Sequence, residues 1–231
     1  MNESSSRPVR VWDVPVRIFH WLMVLSFAGA WLTAESERWR LLHVTLGYTM
    51  AGLVVFRLVW GVVGTRHARF ADFVRGPATV GRYLRSLLRA RPEHHAGHNP
   101  AGGWAIVALL VLTALTAASG WAVYADLGGE WLEEAHEVAA NLMLGVVVVH
   151  IAGVFLGSWL HRENLVRAMI TGRKKSDPAD AGVGAARSVA AVLLIAVLGF
   201  WIVQWQQTPP NLQAQGAPHR EGGDEAGGHE D

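Results

Sequence analysis

Long apolar runs separated by short polar segments set the organisation of this chain. Five runs approach or exceed the length of about 17 to 25 residues that a membrane-spanning helix needs. They cover residues 18–34, 41–64, 104–124, 138–160 and 188–205. The third and the fifth contain neither a charged residue nor a histidine. The pattern therefore predicts an all-α fold with five transmembrane helices.

The polar segments suggest how the rest of the chain is divided. Residues 77–91 place apolar side chains at helical spacing with Arg82, Arg85 and Arg89 between them, which predicts an amphipathic helix on the membrane surface, in contact with anionic lipid. Residues 207–231 are rich in Gly, Glu and Asp, so we expect a disordered acidic tail. Residues 1–175 then form a membrane domain, and residues 176–206 a linker and the fifth span.

Lysine and arginine are unevenly distributed between the two sides of the predicted spans. Sixteen of the 20 precede span one or follow span two or four, whereas the opposite side has Arg38, Arg40 and Arg220. Because cytoplasmic loops carry such an excess, we expect a multi-pass protein of the bacterial inner membrane with a cytoplasmic N-terminus and a periplasmic C-terminus. The periplasmic side carries twelve acidic residues, which would attract a basic partner or merely keep the loops soluble.

Four of the eleven histidines lie where a predicted helix enters or crosses the membrane. His20 and His150 lie toward the cytoplasmic side, and His43 and His136 toward the outer side. Ionisable side chains within a span are costly and usually have a function. The sequence contains no cysteine, which excludes thiolate-bound clusters and covalently attached c-type haem.

The spacing of His136 and His150 is the most informative feature. Fourteen residues of helix are about 21 Å long and turn through about 1400°, only about 40° short of four full turns. Both rings therefore face nearly the same side of one helix, one near each membrane surface. This geometry favours one helix that ligates two stacked haems.

Depth in the membrane then pairs the four histidines. His43 pairs with His136 and His20 with His150, and two imidazoles complete a low-spin iron suited to electron transfer. Zinc or copper would also accept histidine, but zinc needs four ligands at one point. Hydrogen-bonded interior histidines are the remaining alternative. Arg57, in the cytoplasmic half of span two, is a candidate partner for a haem propionate, or it extends toward the membrane surface.

These residues resemble the bacterial cytochrome b561 and nickel-hydrogenase b-type cytochrome family. The resemblance rests on WDVPVRIFHW at residues 12–21, on His43, on GHNP at residues 97–100 and on HEVAANLMLGVVVVH at residues 136–150. It covers about the first 175 residues. It implies a transmembrane four-helix bundle that binds two haems b, with His20, His43, His136 and His150 as axial iron ligands. The fifth helix and the tail lie outside that bundle.

The resemblance leaves the redox partner open. Members carry electrons between the quinone pool and a c-type cytochrome or dehydrogenase, serve as the cytochrome b subunit of an uptake nickel-iron hydrogenase, or act as superoxide:quinone oxidoreductases. We expect a dihaem respiratory cytochrome with quinone as its exchangeable partner. The sequence has no evident catalytic constellation for a stand-alone enzyme, and we expect no nucleic-acid partner. A metal or solute transporter is the alternative from another class, although its ligands would cluster at the membrane midplane.

Overall fold

Five long helices form the body of the molecule, as the computed structural model shows for residues 7–89, 97–176, 181 and 186–207. They are α1 (Val14–Thr33), α2 (Arg40–Val63), α5 (Pro100–Tyr124), α6 (Glu130–Leu160) and α8 (Arg187–Gln207). Shorter elements are α3 (Phe70–Phe73), α4 (Pro77–Leu88), α7 (Leu165–Thr171) and the strands β1 (Arg7–Arg10) and β2 (Arg173–Ser176). All five long helices have the length and apolar composition of membrane spans.

The outer surface of these helices is apolar. Leu32, Val62 and Trp159 are 82%, 70% and 75% exposed, and similar large apolar side chains are exposed along all five helices. Such a continuous apolar surface would drive aggregation in water but is stable in lipid. The chain is therefore a multi-pass membrane protein.

The helices pack in sequence order around the bundle. The most extensive contacts join α5 to α6 and α1 to α2, and α2 also packs on α5. Among the described residues, α6 has no extensive contact with α1 or α2 and approaches them at a few positions at most. The helix that carries His136 and His150 thus faces the helices that carry His20 and His43 across a gap instead of packing directly on them.

The eighth helix lies against the outside of the bundle. It contacts α1 and α2, and Trp201 donates a hydrogen bond from Nε1 to Thr49 Oγ1 over 3.0 Å. Within a membrane, where apolar contact alone discriminates little between a helix and lipid, such a polar contact helps to fix one packing position.

Asp13 joins the first two helices at one end of the bundle. Its Oδ1 accepts a hydrogen bond from the backbone N–H of Val16 and caps α1, and Pro15 occupies the first turn, where its missing N–H costs nothing. Its Oδ2 accepts hydrogen bonds from Trp60 Nε1 at 2.9 Å and Thr65 Oγ1 at 2.6 Å. Asp13 is only 3% exposed, so it ties the start of α1 to the end of α2.

The same end of the bundle, here called the basic end, is closed by a small antiparallel sheet. Arg7 pairs with Ser176 and Arg10 with Arg173, and the backbone N–H groups of Val11 and Trp12 donate to Gly172 O. Gly172 ends α7 at φ 77°, and a Cβ there would lie 2.7 Å from Trp12 O, so glycine is required. The opposite end, which carries residues 34–39 and 125–129, is called the acidic end.

The prediction of five spanning helices is confirmed, with altered bounds. The largest change is in α6, which begins at Glu130 and places His136 inside the helix. The surface helix α4 ends at Leu88, and residues 90 and 91 lie outside the described residues. The sheet was not predicted, because its two four-residue strands, RPVR and RKKS, are short and rich in basic residues and show no strand pattern. The acidic tail also lies outside the described residues, and the division into domains stays a prediction.

Candidate cofactor site

The structure brings His43 of α2 and His136 of α6 together at the acidic end. Their ring centroids are 6.2 Å apart and their planes are inclined by 76°. When two imidazoles bind one metal ion from opposite sides, with metal–nitrogen distances of about 2 Å, their ring centroids lie about 6 Å apart. The pair thus has the spacing of two axial ligands.

Backbone carbonyl groups fix the orientation of both rings. His43 Nδ1 lies 2.9 Å from Ala30 O, and His136 Nδ1 lies 3.0 Å from Thr116 O. Because a carbonyl oxygen only accepts, each Nδ1 carries the proton and each Nε2 keeps a free lone pair. Histidine ligands of metals are oriented by such bonds from the second ring nitrogen. Each ring is therefore oriented by the neighbouring helix: the His43 ring by α1 and the His136 ring by α5.

Gly120 provides the space for the His136 ring. A Cβ atom at Gly120 would lie 2.8 Å from Cε1 and 3.0 Å from Nδ1 of His136. Ser119 Oγ, next to it, is 3.2 Å from the same Nδ1. The sequence analysis missed this requirement, because a small residue in an apolar helix gives no sign of which side chain it faces.

His20 of α1 and His150 of α6 lie toward the basic end. The two rings are within electrostatic range of each other, and His20 Nδ1 is buried without a hydrogen-bond partner. The ring of Trp21 meets His20 edge-on at 5.2 Å. All four predicted histidines thus lie on the helices that border the gap, as one pair toward each end.

Met143 lies between the two pairs on the same stripe of α6, seven residues from each histidine. It is 3% exposed, and Thr113 Oγ1 donates to its Sδ atom over 3.3 Å. This contact fixes the stripe of α6 against α5. In the described part of the chain, no three His, Asp or Glu side chains converge as a metal-binding group. The histidines therefore fit two sites of two ligands, not a single four-ligand zinc site.

Arg57 is buried beside the aromatic rings of the basic end. It is 2% exposed, its guanidinium lies 4.8 Å from the ring of Phe70 and 5.6 Å from that of Phe73, and its Nη1 has no hydrogen-bond partner. Asp13 is within electrostatic range, but its oxygens already accept three hydrogen bonds. Arg57 faces the interior and does not extend to the membrane surface.

His98 is a half-buried residue in the loop before α5, and the sequence analysis did not single it out. Its ring lies between Trp12 and Phe73, at centroid distances of 4.4 and 4.6 Å. Burial lowers the pKa of His98 well below its usual value, and Arg57, Lys174, His67 and His150 lower it further. One sequence feature could have drawn attention to His98: it belongs to the GHNP motif and directly precedes Asn99, the N-cap of α5.

The other loop histidines have local roles where they are described. His67 is 2.9 Å from Asp72, and His161 Nδ1 is 2.9 Å from Gly157 O at the end of α6. His94, His95, His219 and His229 lie outside the described residues.

Comparison with known proteins identifies the class of protein that has this arrangement. The family model of prokaryotic cytochrome b561 matches residues 11–172. No solved structure matches the chain. The chain belongs to the prokaryotic cytochrome b561 family, and it is a membrane-embedded b-type cytochrome, a haem protein of electron transport.

The descriptions of individual relatives are more specific than that of the family. A probable Ni/Fe-hydrogenase B-type cytochrome subunit of Rhizobium leguminosarum bv. viciae is 24% identical over 213 residues, which cover 72% of this chain and 88% of the relative. The corresponding protein of Azotobacter vinelandii is 26% identical over 211 residues, which cover 71% of this chain and 87% of that protein. The probable Ni/Fe-hydrogenase 1 B-type cytochrome subunit of Escherichia coli K12 is 26% identical over 154 residues, which cover 54% of this chain and 65% of that protein.

Proposed function

We propose that this protein is a dihaem cytochrome b subunit that carries electrons through the membrane for a hydrogenase-type dehydrogenase. His43 and His136 hold one haem at the acidic end, and His20 and His150 hold the other at the basic end. The observation that carries this proposal is the 6.2 Å spacing of His43 and His136 together with the carbonyl anchors on both Nδ1 atoms.

The chain's residues bind and orient the cofactors and keep water away from them. Ala30 O and Thr116 O hold the rings of the acidic-end pair, while α1, α2, α5 and α6 surround both sites with apolar side chains. Arg57 is the proposed partner of a propionate at the basic end. A haem with two axial histidines supplies one-electron chemistry without an open coordination position.

The proposed electron partner follows from the relatives, which are described as probable cytochrome subunits of Ni/Fe hydrogenases. This differs from the expectation of a general carrier between quinone and a c-type cytochrome. In the proposed arrangement, the dehydrogenase docks on the acidic end of this inner-membrane protein, which faces the periplasm. Quinone exchanges electrons with the cytochrome within the membrane. The charge distribution between the two ends supports that orientation.

The haem assignment is tested by haem content and reduced-minus-oxidised spectra of purified variants. Two b-type haems per chain are expected in the wild type. H43A and H136A should each lose the same haem, and H20A and H150A the other, whereas H161A serves as the control outside both pairs. A wild-type protein without a b-type spectrum, or full haem content in H136A, would overturn the assignment.

The partner assignment needs a separate experiment. Affinity purification from native membranes should recover a nickel-iron hydrogenase subunit, and hydrogen should reduce both haems and then an added quinone. Recovery of a basic c-type cytochrome, with binding that weakens as salt increases, would support the alternative that the acidic end attracts such a partner.

A further inference from the structure

Besides His20, two polar side chains at the basic end have a buried nitrogen atom without a hydrogen-bond partner. They are His98 Nδ1, in the loop before α5, and Arg57 Nη1, on α2. Their residues are within electrostatic range of each other and His98 is also within range of His150. Buried polar groups are almost always paired, so two such atoms near one place indicate a ligand.

The surrounding residues hold both side chains in place. Trp12 and Phe73 lie on either side of the His98 ring, and Phe70 and Phe73 lie beside the Arg57 guanidinium. Although the His98 side chain is partly exposed as a whole, its Nδ1 is buried. Phe73 therefore contacts both residues and links the orientation of one to that of the other.

The acidic side chains that the structure describes at this end are already engaged. Asp13 accepts from Val16, Trp60 and Thr65, Asp72 contacts His67 at 2.9 Å, and Glu163 pairs with Lys174 at 3.5 Å. Among the described residues, the region around Arg57 and His98 thus has excess positive charge. A carboxylate is the ligand that both complements this charge and accepts from an arginine and an imidazole.

We propose that His98 and Arg57 together bind one propionate carboxylate of the haem held by His20 and His150. This inference rests on the proposed function, which places a haem at that pair, and it assigns a cofactor-binding role to His98. The imidazole donates from Nδ1 and the guanidinium from Nη1, so the carboxylate is neutralised close to the iron. Neutralisation disfavours the ferric state and raises the reduction potential of this haem relative to an unpaired propionate.

The test is a spectroscopic redox titration of the haem-loaded protein in H98L and H98Q. H98L removes the donor and should lower the potential of the basic-end haem, while the acidic-end haem, as the internal control, keeps its potential. H98Q retains a donor and should restore most of the shift. H161Q is the matched control, because His161 lies at the same end and its Nδ1 is 2.9 Å from Gly157 O at the end of α6.

Resonance Raman spectra add a readout that does not depend on activity. The propionate-bending band should move in H98L and in R57K, and the effects of the two changes should not be additive in the double variant, because both contact one carboxylate. If H98L does not accumulate, H98A carries the same comparison against H161Q.

The outcomes separate this inference from the proposed function. Two haems with unchanged potentials and an unchanged propionate band in H98L would overturn the role of His98 and leave the dihaem assignment intact. Equal shifts of both haems would also overturn it, because they would indicate a general change of fold. Absence of the basic-end haem from the wild type would instead overturn the proposed function.

Discussion

A Cβ atom at Gly120 would lie 2.8 Å from Cε1 of His136, so a residue on α5 determines whether this histidine of α6 can hold its position. The ring cannot move aside freely, because its Nδ1 is hydrogen-bonded to Thr116 O on the same helix as Gly120. The spacing of the His43 and His136 rings thus depends on a glycine that has no side chain in the pair.

We predict that G120A displaces the His136 ring and weakens the acidic-end haem. Haem content should fall from about two toward about one per chain, and the remaining spectrum should be that of the basic-end haem. G199A on α8 is the matched control, because a Cβ there meets nothing within 4 Å. Full haem content and an unchanged spectrum in G120A would show that the ring adapts without loss.

Much of this architecture could be predicted from the sequence, because it depends on patterns along a single helix. Apolar length predicts the spans, and the spacing of His136 and His150 predicts which side of α6 faces the cofactors. The structure brings the rings of His43 and His136 together. Their pairing around one haem and their role as iron ligands stay predictions.

The parts that could not be predicted depend on contacts between distant segments. Asp13 resembles an ordinary helix cap, and its bonds to Trp60 and Thr65 exist only once α1 and α2 are packed. The sequence does not show that the rings of Trp12 and Phe73 lie against the ring of His98. The sheet of β1 and β2 likewise joins residues more than 160 positions apart.

Asp13 should be among the most important residues for the stability of the basic end. D13A removes the cap of α1 and leaves the donors of Trp60 and Thr65 without their shared acceptor. We expect a loss of about 2–4 kcal/mol in the free energy of unfolding, measured in detergent with haem bound. T65V removes one donor only and should cost about 1 kcal/mol. Equal effects of the two variants would contradict the role of Asp13 as a joint between α1 and α2.

The hydrogen bond between Trp201 and Thr49 should hold α8 in its position on the bundle. W201F and T49V should each weaken the packing of α8 by about 1 kcal/mol, and the double variant should cost little more than either single variant. Proteolysis in the residues before α8, compared between variants, reports how firmly α8 is held. Additive effects would indicate that the two side chains act independently of each other.

Removal of α8 should leave the proposed haem sites intact. The four histidines lie on α1, α2 and α6, and the main contacts of α8 in the described part of the chain are with α1 and α2. A chain that ends at residue 186 should therefore keep about two haems, with reduced thermal stability because Thr49 loses its bond to Trp201. The intact chain carrying W201F is the control that separates loss of that bond from loss of the whole helix. If the truncated chain binds no haem although it accumulates in the membrane, then α8 is part of the bundle that forms the sites and not an addition to it.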